Sequence, residues 1–166
     1  MARLVIADAG PLIALAGIDA LGVLRDLFGR VAIPDAVWAE CTAKQSRDGA
    51  RIGSALADGW LVRQAAGPQA PSIPLTPSLG AGESEAIALA MAAPRERLLI
   101  MDDRLARRYA LRRGLAVIGT VRVLVLAEER GLVEGAAACI EAMAANGYRI
   151  SPALLDLVRR GGAGEC

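Results

Sequence analysis

The sequence predicts an α/β fold built on a central, mostly parallel sheet with helices on both faces. Short apolar runs rich in Val, Ile and Leu alternate with longer amphipathic stretches, the pattern of successive βα units. Two of those runs, 3–7 and 97–101, are apolar almost throughout, which marks strands buried on both faces. The 166 residues, 54% hydrophobic and 22% charged, suit one globular domain spanning 1–166.

Each element follows from its local chemistry. The strand at 3–7 delivers Asp8 at its carboxyl end. Pro11 sits where a helix can begin without needing an N–H, and Leu12 to Leu15 continue it. Asp19 is expected to N-cap a second helix carrying Leu21, Leu24, Leu27 and Phe28 on one face. Residues 31–33 form a short strand, and Pro34 opens a helix containing Val37, Trp38 and Glu40. Another helix is expected over about 46–58. The stretch 64–78, rich in Pro and lacking periodicity, reads as a surface loop inside the domain, because neither half of the chain could close its own sheet. A nearly all-apolar helix over 83–92 leads to the strand at 97–101, which ends in Asp102 and Asp103. An arginine-rich helix and a strand at 115–118 follow, then three helices over about 120–130, 134–146 and 151–160.

Composition excludes several kinds of chemistry. There is no histidine, which removes Ser-His-Asp and Cys-His nucleophile systems and His-rich zinc sites. Nineteen basic against eighteen acidic side chains leave a formal charge of +1, so any basic surface must be local. Cys41, Cys139 and Cys166 are odd in number and widely spaced, as expected of reduced thiols in a cytoplasmic protein. Asp8 interrupts the apolar opening before a signal-peptide core can form, and no uncharged run reaches the ~18 residues of a membrane span. Only two Trp, two Tyr and one Phe are present, too few for a base-stacking platform.

The chemistry that remains lies in carboxylates. In open α/β sheets ligands bind beyond the carboxyl ends of the strands, so Asp8 and Asp102 can face one another although they are distant in sequence. Glu40, Glu83 and Glu85 lie on helices that can border the same crevice. Such a cluster, without histidine or lysine among it, repels itself unless a cation neutralises it, and hard oxygen ligands suit Mg²⁺ or Mn²⁺. The plainer alternatives are an N-cap for either aspartate, a macrodipole preference for Glu83 or Glu85, and a solvated Glu40.

Combination and local wording favour the cation site. The blocks Ile6-Ala-Asp8-Ala-Gly-Pro-Leu-Ile13, Ile33-Pro-Asp-Ala-Val-Trp-Ala-Glu40, Gly82-Glu-Ser-Glu-Ala-Ile-Ala-Leu-Ala90 and Leu99-Ile-Met-Asp102-Asp-Arg104 resemble the ordered acidic motifs of PIN-domain nucleases. More narrowly they resemble a VapC-like branch with a Gly-Glu-x-Glu-Ala-Ile block and a double Asp, and the similarity continues through Gly119-Thr120 and Tyr148-Arg-Ile-Ser-Pro152. The resemblance implies a PIN-like three-layer α/β/α fold and a metal-dependent endoribonuclease. It also implies a homodimer and, as in many relatives, the toxin half of a VapBC-type toxin–antitoxin pair with an antitoxin protein as partner. Asp8, Glu40 and Asp102 match the family's first, second and last acidic positions. Glu83 and Glu85 diverge by about 200° around their helix, and Glu85 aligns better with the third position. Asp8, Asp102 and Glu85 are thus the implied metal ligands, Glu40 completes the catalytic set, and Glu83 and Asp103 are further candidates. Two departures stand out: Ala9 replaces a frequent Ser or Thr, and Glu replaces the usual third Asp.

The implied chemistry is in-line attack of water on an RNA phosphodiester, with one or two cations lowering the pKa of that water. Arg104, Arg108 and Arg112 recur at i, i+4 and i+8 and form a stripe beside Asp102, able to hold RNA phosphates or simply to face solvent. Two other classes compete. One is a non-catalytic PIN-like module docking a partner protein in its acidic groove. The other is a phosphate-handling domain with Asp8 as nucleophile, for which the only lysine, Lys44, is poorly placed. Gly80 and Gly82 do not make a phosphate loop, having no preceding strand and no Gly-Lys-Ser/Thr ending.

Overall fold

A computed structural model describes residues 3–161. The elements run β1 (Leu4–Ala7), α1 (Ala9–Gly17), α2 (Gly22–Phe28), β2 (Val31–Ile33), α3 (Asp35–Thr42), α4 (Arg47–Ala57) and β3 (Leu61–Arg63). They continue with α5 (Ala81–Ala92), β4 (Arg97–Ile100), α6 (Arg104–Arg112), β5 (Ala116–Ile118), α7 (Thr120–Glu129), α8 (Ala136–Ala145) and α9 (Pro152–Arg159). The five strands form one sheet in the order β3-β2-β1-β4-β5, and every pairing is parallel.

That order places the site. The chain steps outward from β1 to β3, then returns through α5 to β4 on the other side of β1. The reversal opens a crevice beyond the carboxyl ends of β1 and β4. Register sharpens the placement: Ala7 pairs with Ile100, and the Asp8 N–H donates to the Ile100 carbonyl at 2.9 Å. Asp8 and Asp102 therefore leave adjacent strands almost level with each other.

The pleat divides the core in two, because successive strand side chains point to opposite faces. Val5, Ala7, Val31, Ile33, Leu98 and Ile100 pack beneath α1 to α4 and α7 to α9, whereas Leu4, Ile6, Ala32, Leu99 and Met101 pack against α5 and α6. These are the three layers expected. α3 and α5 also meet each other, which matters for the acidic residues they carry.

Two local expectations change. β3 lies within a stretch that carried no strand expectation; Leu61 is buried but Arg63 is exposed, so the edge strand lacks the continuous apolar run of β1 and β4. Asp19 caps nothing: it occupies a left-handed turn at φ 56° and pairs with Arg51, while α2 begins at Gly22 behind Leu21. Every strand pairing is parallel, in keeping with the mostly parallel sheet expected. Ser46 does cap its helix, its hydroxyl accepting the Gly49 N–H at 3.1 Å.

Candidate active site

Asp8 occupies the N-cap position of α1 with extended backbone, yet its side chain makes no capping bond. It is 5% exposed, and its Oδ1 has no hydrogen-bond partner among the described residues. An orphaned buried acceptor costs roughly 1–3 kcal/mol, so it needs a reason. Burial first and then the charge of Glu83 push the Asp8 carboxyl up to about 7; the Ala9 N–H opposes them, and Glu40 and Asp102 add the smallest contributions.

The neighbours of Asp8 come from the meeting of α3 and α5. Glu40 reaches the start of α5, where the Gly82 N–H donates to its Oε1 at 3.2 Å. A Cβ on Gly82 would stand 2.5 Å from that oxygen and 3.2 Å from Asp8 Oδ1, so the missing side chain is what lets α5 approach both carboxylates. Partial burial and then Glu83 raise the Glu40 carboxyl above its ordinary range, opposed by the Gly82 N–H.

The two glutamates of α5 part company. Glu83, half-buried, acts electrostatically on both Asp8 and Glu40. Glu85 is exposed, and its Oε2 accepts the Ala36 N–H at 3.0 Å in the first turn of α3. Glu85 thus satisfies a free donor at a helix start, away from the field that Glu83 shares with Asp8. Helical geometry allows only one of the pair to face the crevice.

The double aspartate divides in the same way. Asp103 caps α6, its Oδ1 accepting the Ala106 N–H at 2.8 Å. Asp102 turns to β5 and α7: its Oδ1 accepts the Thr120 N–H at 2.8 Å and its Oδ2 the Thr120 hydroxyl at 2.6 Å. The Tyr148 phenol faces the same carboxylate, and burial followed by the negative charge of Asp102 raises it far above its ordinary range. Thr120 and Tyr148 fell within the motifs compared above but carried no assigned role; a Thr opening a helix directly after a strand was the available signal.

The donor set can be tested against a divalent cation. Among the described residues no three carboxylates already converge to ligate one ion together. What the residues offer is one buried, unpartnered oxygen on Asp8, with the charges of Glu83, Glu40 and Asp102 acting on it. That fits a hard ion such as Mg²⁺, which commonly keeps several waters and takes only one or two protein carboxylates directly. Cys41 borders the same cluster but is no nucleophile, since burial, Glu40 and Asp8 push its thiol up to about 12. Cys139 is also free, and Cys166 lies outside the described residues.

Basic residues flank the carboxylates on α6. Arg104, Arg108, Leu111 and Arg112 are exposed and, with half-buried Arg107, line an open groove ending at Asp102. Arg113, by contrast, stacks on Tyr109 with its guanidinium 3.3 Å from the ring centroid. Among the described residues no helix is long and apolar enough to cross a membrane.

No curated protein matches this sequence. A family profile described as a PIN domain matches residues 4–162, from the first strand to past the last helix. PIN domains are generally nucleases and generally use divalent metal ions. The parallel sheet, the acidic crevice at its switch point and this end-to-end match agree: the chain belongs to the PIN-domain family.

Proposed function

We propose that the protein is a metal-dependent endoribonuclease that uses Mg²⁺ or Mn²⁺. The observation that carries this reading is the unpartnered Asp8 oxygen, buried within the field of three other carboxylates at the switch point of the sheet. Asp8 and Asp102 would hold the ion, with Glu83 and Glu40 reaching it directly or through water. Glu85, implied as a ligand by resemblance alone, is left out because it bonds Ala36. When bound, the ion supplies neutralising charge and a more acidic water.

The chain's own residues do the rest. Thr120 holds both Asp102 oxygens, fixing the direction of that carboxylate before any ligand arrives. Gly82 holds Glu40 at the crevice. Arg104, Arg108 and Arg112, joined by Arg107, hold backbone phosphates without reading sequence. The test is cleavage of RNA with and without Mn²⁺; activity undiminished in EDTA sinks the reading.

The motif resemblance further supports a VapC-like toxin with an antitoxin partner, and the exposed Leu105 and Leu111 on α6 are compatible with a homodimer. Growth arrest on expression, relieved by a neighbouring gene, tests the first; sedimentation tests the second. One observation favours the docking-module alternative: Ala9, buried at the start of α1, brings no hydroxyl to the crevice, and the Thr120 hydroxyl is engaged by Asp102. A docking module predicts no thermal stabilisation by Mn²⁺.

A further inference from the structure

Asp102 and Arg107 line two hollows at once. On one side lies the α6 groove. On the other lies a separate cavity of about 290 Å³, between β5, the first turns of α7 and the segment 148–154. The two differ in character. Val121, Val125 and Leu154 give the cavity apolar lining, while Arg107, Arg122 and Arg149 bring positive charge to it. Among the described residues neither Arg107 nor Arg149 takes part in an ion pair.

We propose that this cavity is a nucleotide subsite, holding one base and sugar of the RNA adjacent to the phosphate presented to Asp8 and Asp102. The proposal rests on the ribonuclease reading and adds where the substrate's neighbouring nucleotide goes. Three features point to that occupant. Cationic groups beside apolar lining match a flat base joined to an anionic backbone. The volume stands at the small end of the roughly 300–1,000 Å³ of ligand sites, room for one nucleotide rather than a longer segment. And a strand lying along α6 reaches the cavity by passing Asp102, because that residue and Arg107 border both hollows. The pocket would favour some bases over others at one position beside the cut, where the α6 groove alone would be indifferent.

The experiment has two arms. In the first, a hexaribonucleotide carrying all four bases is added without metal to ¹⁵N-labelled Asp8→Asn protein. Amide shifts at Val121, Arg149 and Leu154 are expected, and Kd should rise about tenfold when Val121→Trp fills the cavity, the order of one base contact. Arg149→Gln, a change at an exposed side chain, should raise Kd several-fold and keeps the test open if Val121→Trp fails to fold. In the second, wild-type protein with Mn²⁺ cuts a random RNA pool, and the base preference beside the cut should flatten in Arg149→Gln. Cutting with shifts confined to α6, unchanged Kd and unchanged preference overturns the subsite and leaves the ribonuclease reading standing. No cutting by wild type, with the cavity still shifted by the hexanucleotide, supports the subsite and removes the cleavage reading. A cavity that responds to hexaglutamate peptide and not to RNA belongs to a protein partner, and overturns the proposal.

Discussion

Asp8 and Asp102 leave adjacent parallel strands nearly level, but the protein treats them in opposite ways. Asp102 is half-buried with both oxygens engaged by Thr120, so its geometry is set by the fold. Asp8 is buried with one oxygen unpartnered and its carboxyl pushed up to about 7, so its charged state is disfavoured until something else supplies a positive field. A carboxylate whose two oxygens each accept a protein donor, with lone pairs still free for an ion, is a fixed post. One left unsatisfied in the interior is a demand that a cation can meet. The pair teaches that the two aspartates, equivalent in their motifs, should fail differently.

The largest effect is expected at the unsatisfied end. Asp8→Asn should abolish RNA cleavage and, unlike most active-site losses, raise the stability of the metal-free protein near neutral pH. Near wild-type turnover in this variant, measured with Mn²⁺, would break the comparison at its centre. At the satisfied end the change to make is not Asp102 but its support. Thr120→Val removes the hydroxyl donor while keeping the backbone one, and should lower metal affinity or turnover about 10–100-fold, the range for groups that orient a ligand. An unchanged titration of Mn²⁺ into Thr120→Val would mean that Asp102 needs no such orientation.

A third comparison separates Glu83 from Glu85. Glu83→Gln should weaken Mn²⁺ binding, whereas Glu85→Ala should leave binding alone and lower stability by about 1 kcal/mol through the helix start it satisfies. Equal losses of Mn²⁺ affinity in calorimetry would show that both glutamates serve the ion.

These residues also mark where the sequence stopped being informative. β1 and β4 were legible because both of their faces are buried, leaving uninterrupted apolar runs with an aspartate at each end. β3 was not, since an edge strand of three residues with a graded burial pattern has no period to detect. Helical geometry showed that Glu83 and Glu85 diverge, but which one enters the crevice is decided by how α5 packs on α3, and no local pattern contains that. The same holds for the adjacent Asp102 and Asp103: either could cap α6, and the choice follows from the position of Thr120, a contact across 18 residues. Asp19 shows the converse error, a good capping residue taken into a left-handed turn by its place between two helices.

The smallest expected effect is read in degrees rather than powers of ten. Because the folded-state pKa of Asp8 is raised, from an ordinary 3.8 to about 7, the native protein holds a proton that the unfolded chain has released between those values. Its contribution to metal-free stability is therefore fully present below about pH 4 and is lost as pH rises through 7, by at most about 4 kcal/mol. Glu40 is raised as well and adds a slope of the same sign. Asp8→Asn should flatten most of this decline, so the variant's melting temperature crosses above that of wild type as pH rises. Mn²⁺ competes with the proton, and its stabilisation of wild type should grow from pH 5 to pH 8. At a hundredfold excess over Kd that stabilisation is about 2.7 kcal/mol, a shift of roughly 5–10 °C for a chain of this size. Asp8→Asn should show little of it. If wild type and Asp8→Asn instead share one pH profile and one Mn²⁺ shift, Asp8 is not where the cation acts, and the contrast with Asp102 reduces to a difference in packing.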